Sequence, residues 1–144
     1  MAARPRVVLD TNVCLDLFVF GDPRAAALGA ALRAGAVLAV TDVACRDEWL
    51  RVLGYPQIAL DAARRAAAVA DYDAWLAPWS ETVAGVPAPL PRCADADDQK
   101  FLELAQRTHA GCLLSRDHEL LKLAPRTRRD HGFDVVAPWD WIAA

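Results

Sequence analysis

The chain reads as an α/β protein, a three-layer α/β/α sandwich around a central parallel sheet of about four to five strands. Three observations predict it. Short apolar, β-rich runs (RVVL at 6–9, AVLAV at 36–40, CLLS at 112–115, FDVV at 133–136) show no consistent polar face, as strands covered on both sides require. Helix-like segments stand between them, the arrangement that parallel strands need. A length of 144 residues with 55% hydrophobic and 24% charged residues suits one globular unit, so residues 1–144 are read as a single domain.

The elements follow in order. The first strand, 6–9, ends at Asp10. Asp22-Pro23 then opens an alanine-rich helix to about Arg33, stopped by Gly35, since proline suits a first helical turn where its missing N–H costs nothing. The second strand, 36–40, ends at Thr41-Asp42, either of which can cap a helix running to about Leu53 before Gly54 and Pro56. Residues 58–76 read as one long helix. Pro78, Pro87, Pro89 and Pro91 make 77–94 a loop with room for one edge strand. A helix over 97–109 is broken at Gly111, a strand occupies 112–115, Asp117 opens a short helix, and 133–136 is the last strand. A final helix starts at Pro138, and Trp139 and Trp141 within it are read as closing the core, with a subunit interface as their alternative use.

Composition narrows the function. A net charge of -3 and a pI near 5.5 argue against a protein that holds nucleic acid through a broad basic surface. A nuclease is not excluded, because acids gathered around metal ions lower the pI while Arg64 with Arg65, or Arg126 with Arg128 and Arg129, could track phosphates. Such pairs are more often solvated faces. No run approaches the roughly 18 apolar residues of a membrane span, and no apolar signal core precedes the first acid, so a cytoplasmic protein is expected. Cys14, Cys45, Cys93 and Cys112 form no CxxC pair, which indicates neither disulfides nor a zinc knuckle. His118-Glu119 continues as HELLK, with Lys122 where a zinc HExxH motif demands histidine, and His109 and His131 stand alone. GxSxG, GxxxxGK[ST] and GxGxxG are all missing from the sequence.

Acids at the carboxyl ends of strands remain. Ligands of open parallel sheets bind beyond those ends, and Asp10 follows RVVL directly while Asp117 follows CLLS by one residue. Helices that follow parallel strands begin at the same edge, which puts Thr41 and Asp42 near it and Glu48 further along. Ala44, Cys45 and Val52 flank Glu48 at helical spacing, whereas Asp47 can pair with Arg51 on a solvated face. Glu48 is therefore the inward acid. Asp95, Asp97 and Asp98 crowd into CADADDQKFLELA at 93–105, where Asp95 could cap a helix while Asp98 reaches back. A helix over 97–109 running antiparallel to the strands is expected to start at their amino edge, an objection to placing Asp98 in the crevice. Four carboxylates in one pocket need cations, because each pair at about 4 Å and an effective dielectric near 20 costs about 4 kcal/mol. Hard oxygen donors favour Mg²⁺ or Mn²⁺ over zinc. Asp10 could instead be a phospho-acceptor, although Asn12 stands where many phosphatases place a second aspartate.

Four segments together, VVLDTNV at 7–13, EWLRVLGYPQI at 48–58, DADDQKFLELA at 95–105 and LLSRDHELLKL at 113–123, resemble the PIN-domain ribonucleases. The likeness is greatest to the bacterial branch that serves as toxin components of toxin-antitoxin pairs, and it spans residues 7–142. The resemblance implies an acidic quartet of Asp10, Glu48, Asp98 and Asp117 that is both catalytic and metal-binding, and it answers the objection to Asp98. It gives Asn12 and Ser115 supporting roles, makes Asp95 an outer ligand or cap, and leaves Asp97 as a structural acid. Cys14 and Asp16 depart from it, standing where apolar or small residues are usual.

The implied activity is Mg²⁺- or Mn²⁺-dependent hydrolysis of RNA phosphodiester bonds, leaving a 5′ phosphate. The implied partners are single-stranded or looped RNA, a small antitoxin protein and a second copy of the chain. Two other readings stay open: a non-catalytic PIN-like module that binds RNA or protein, and an aspartyl-phosphate enzyme or receiver built on Asp10.

Overall fold

The structure is a computed structural model that describes residues 4–80 and 88–141. Among these residues, β1 (Arg6–Leu9), β2 (Leu38–Thr41), β3 (Leu76–Pro78), β4 (Cys112–Leu114) and β5 (Asp134–Val136) form one parallel sheet in the order β3-β2-β1-β4-β5. Val8 lies at the centre, level with Val40 of β2 and Leu113 of β4. The chain winds outward from β1 to β3, then returns to β4 and winds the other way. That reversal places a crevice beyond the carboxyl ends of β1 and β4.

Alternation along the strands divides the core in two. Val7, Leu9, Ala39 and Leu114 pack with Val13, Leu28, Leu32, Trp49, Leu53 and Tyr72 on one face. Val8, Val40, Leu113 and Val135 pack with Phe101, Leu102, Leu120 and Phe133 on the other. Each strand is thus apolar on both sides because each face is covered, and the three-layer sandwich expected from the sequence is the observed fold.

The helices refine the expected element list. Between Asp10 and Asp22, where no element was expected, α1 (Thr11–Leu15) continues as a π-helical turn, Asp16–Phe20. Gly21 ends it at φ +58, a left-handed conformation that glycine adopts without a Cβ clash. A 3-10 turn at Pro23–Ala25 leads into α2 (Ala26–Arg33). Asp42 caps α3 (Val43–Leu53) by accepting the Cys45 N–H at 2.9 Å, whereas Thr41 hydrogen-bonds the Tyr72 hydroxyl at 2.5 Å.

The helix expected over 58–76 is shorter at both ends. Pro56–Ile58 is a separate 3-10 turn, Ala59 is left-handed at φ 56, and Asp61 caps α4 (Ala62–Trp75). Leu76 already belongs to edge strand β3, which ends at Pro78, a residue an edge tolerates. A 3-10 turn at Ala96–Asp98 opens α5 (Gln99–Thr108). After β4 come α6 (His118–Leu121) and α7 (Ala124–His131), the second of which was not expected.

Residues Pro138–Asp140 form a single 3-10 turn where a final helix was expected. Trp141 packs against the first core face, but Trp139 is 46% exposed with the Arg24 guanidinium 4.8 Å from its ring centroid. Core closure therefore describes Trp141 alone. No helix among the described residues is long and apolar enough to cross a membrane.

The direction of α5 corrects the expectation that it begins at the amino edge. At its far end the Arg6 guanidinium donates to the Thr108 carbonyl at 2.8 Å and the Gly111 N–H to the Arg6 carbonyl at 2.9 Å, so α5 finishes where β1 starts. A helix that returns the chain to the start of the next parallel strand must begin where strands end. Its first residues therefore sit over the crevice.

Candidate active site

Asp10 extends the β1–β4 pairing by one bond, its N–H reaching the Leu114 carbonyl at 2.9 Å, and its own carbonyl starts α1 by accepting from Val13 and Cys14. Its side chain therefore leaves the sheet at the crevice. The Ser115 hydroxyl donates to Asp10 Oδ2 at 2.6 Å and the Asn12 amide at 3.3 Å. Ser115 also accepts the Asp117 N–H at 2.9 Å, and Asp117 caps α6 by accepting from Glu119. Asn12 and Ser115 thus act on both sides of the β1–β4 boundary.

Asp98, buried at the entry to α5, lies within the fields of Asp117 and Asp10. Asp95 accepts the Asp97 N–H at 3.0 Å, so it is the cap of the 3-10 turn, and the Asp97 side chain is exposed. Glu48 faces inward from α3, 9% exposed, and adds to the field at Asp10. Arg51, the expected partner of Asp47, instead lies 3.9 Å from Glu48. Asp10, Glu48, Asp98 and Asp117 are accordingly brought to one crevice from four separate parts of the chain.

Their electrostatics follow from crowding. Burial, reinforced by the fields of Glu48 and Asp117 against the Ser115 bond, pushes the Asp10 carboxyl up to about 6. Burial, the neighbouring Asp117 carboxyl and the Asp10 field raise Asp98 well above the ordinary carboxylate range. Among the described ion pairs none involves Asp10, Asp98 or Asp117. Glu48 differs: Lys100 Nζ meets its Oε1 at 2.7 Å and the Thr11 hydroxyl donates to its Oε2.

Among the described residues no three His, Cys, Asp or Glu side chains are placed to hold a metal ion as they stand. The carboxylates are turned to other partners: Glu48 to Thr11 and Lys100, Asp10 to Ser115, Asp117 to the α6 N-terminus. The donor chemistry nonetheless fits a hard divalent cation, being all oxygen, crowded and short of positive charge at three aspartates.

Four participants were not anticipated. Thr11 and Lys100 bind Glu48, and the signals were Thr11 following Asp10 directly and Lys100 standing two residues after Asp98. Arg116 donates to Asp16 at 2.8 Å while its N–H reaches Asn12 Oδ1 at 3.3 Å, fixing the turn before Asp117. The signal for Asp16 was its departure from the apolar residue usual there.

A doubly wound parallel sheet with acids converging at its reversal point defines an α/β protein with an acidic crevice at its switch point. The family model described as PIN domain matches residues 6–119, most of the chain and all four crevice acids. The chain belongs to the PIN domain family, whose members are generally nucleases. No curated protein matches it.

Proposed function

We propose that the chain is a metal-dependent endoribonuclease that hydrolyses RNA phosphodiester bonds, the toxin of a toxin-antitoxin pair acting in the cytoplasm. Its acid set is Asp10, Glu48, Asp98 and Asp117, with Asn12, Asp95 and Ser115 in support. The observation that carries the reading is that buried Asp10 and Asp98 share one another's field and that of Asp117, with no basic side chain paired to any of the three among the described ion pairs.

Asp10, Asp98 and Asp117 would hold Mg²⁺ or Mn²⁺, with Glu48 beside them. When bound, such an ion supplies a water of lowered pKa and neutralises charge developing on a phosphodiester. Ser115 and Asn12 hold Asp10 in place, and α6 orients Asp117. Asp10 and Asp117 thereby face the crevice at little further entropic cost. An accessible backbone suits single-stranded or looped RNA, and cleavage would leave a 5′ phosphate. A small antitoxin protein and a second copy of the chain are the proposed partners, on the strength of the family likeness.

A second reading, a non-catalytic module binding RNA or protein, is favoured by one observation, that no ready-made metal group stands among the described residues. Cleavage of total RNA with Mn²⁺ and with EDTA separates the two. The nuclease reading expects cutting that needs Mn²⁺, yields 5′-phosphate ends and disappears in a folded Asp98→Asn protein. No cutting by the folded wild type would support the second, and cutting that persists in EDTA would overturn the metal-dependent reading.

A further inference from the structure

Lys100 is held unusually well for a lysine. Its ammonium meets Glu48 Oε1 at 2.7 Å, donates to the Asp97 carbonyl and lies 5.0 Å from the Phe101 ring centroid. Its side chain is only 18% exposed and that of Glu48 11%. The other Glu48 oxygen accepts from Thr11, so both oxygens are engaged by groups of this chain. Because Lys100 stands in the first turn of α5, the same turn that delivers Asp98 also delivers a cation to Glu48.

We propose that Lys100 is the built-in counter-cation of the crevice: its ammonium takes the position beside Glu48 that a second divalent ion would need. The crevice then loads one Mg²⁺ or Mn²⁺, on Asp10, Asp98 and Asp117, and Glu48 acts by holding Lys100. This rests on the nuclease reading above and deepens it. Lys100 is a positioning residue here, a fixed charge that limits metal loading.

The test counts ions. Mn²⁺ is titrated into the full chain, with free Mn²⁺ followed by electron paramagnetic resonance and the fold checked by circular dichroism. The proteins are the wild type, Lys100→Met, and the charge-neutral double variant Glu48→Gln/Lys100→Met. One Mn²⁺ is expected in the wild type, two in Lys100→Met, where Glu48 is released, and one in the double variant at nearly wild-type affinity. Two ions in the wild type, or one in Lys100→Met, would overturn the proposal. So would a loss of about tenfold or more in the double variant, the mark of Glu48 serving the metal directly. No binding by folded wild type would instead defeat the metal-dependent reading itself, and this inference with it.

Discussion

The Ser115 hydroxyl donates to Asp10 Oδ2 at 2.6 Å, so one buried serine joins the carboxyl ends of the two strands at the reversal point. The same oxygen accepts the Asp117 N–H, and two acids that follow different strands therefore share a single orienting atom. Ser115→Ala leaves the buried Asp10 carboxylate with only the longer Asn12 bond among its described side-chain partners, and the Asp117 N–H without its partner. Urea denaturation should show a loss of about 1–3 kcal/mol. Mn²⁺-dependent cleavage should fall by about tenfold or more, as when a group orienting a metal ligand is removed. Unchanged cleavage would mean that Asn12 and the backbone suffice to hold Asp10.

Crowded acids also set a pH dependence. Asp10, raised to about 6 chiefly by burial, and Asp98, raised by burial and by Asp117, both bind protons more tightly folded than unfolded. In EDTA the folded state is therefore favoured below the ordinary carboxylate range, and stability falls as pH rises through the raised values. Asp10 alone accounts for a drop on the order of 3 kcal/mol. Melting followed from pH 4 to pH 8 should show this decline, reduced in Asp98→Asn and cancelled by saturating Mn²⁺. Stability that rises with pH in EDTA would contradict it.

These acids differ in how legible they were. Asp10 and Asp117 could be placed because each follows a strand whose two apolar faces identify it, and Glu48 because apolar residues share its helix face. Asp98 was legible too: a helix that leads into the parallel strand at 112–115 and runs antiparallel to it must start at the carboxyl edge, so the expected amino-edge start was an error of direction and not a gap in the pattern. α1 and its π-helical turn were missed because buried Asp16 interrupts their apolar face. Lys100 and Thr11 were missed for a different reason. Their partner Glu48 lies far off in the chain, and no periodicity records a contact between elements that meet only after folding.

Asp16 makes a separate prediction. Its side chain is 5% exposed and its described partner is Arg116, 32% exposed, at 2.8 Å. Arg116→Met strands a buried carboxylate and frees the turn that carries Asp117. A loss of about 2 kcal/mol is expected, below the range for fully buried pairs because Arg116 keeps some solvent. Adding Asp16→Asn should restore most of it, and a double-mutant cycle in urea reads the coupling directly. Additive effects would show that the two side chains meet without interacting energetically.

The acid-rich lead-in to α5 separates three neighbouring aspartates by role. Asp95 accepts the Asp97 N–H, so Asp95→Ala should cost about 1 kcal/mol of stability through a lost cap, with most cleavage retained. The exposed Asp97 side chain makes no contact that Asn would lose, and Asp97→Asn should stay within about 0.5 kcal/mol of wild type with cleavage intact. Asp98→Asn removes a buried charge from beside Asp117, so in EDTA at pH 8 the variant should melt above the wild type while losing Mn²⁺-dependent cutting. Opposite signs for stability and activity at one position would mark a residue retained for chemistry at the expense of the fold. An Asp98→Asn protein that is both less stable and fully active would reverse the assignment and return this cluster to helix capping.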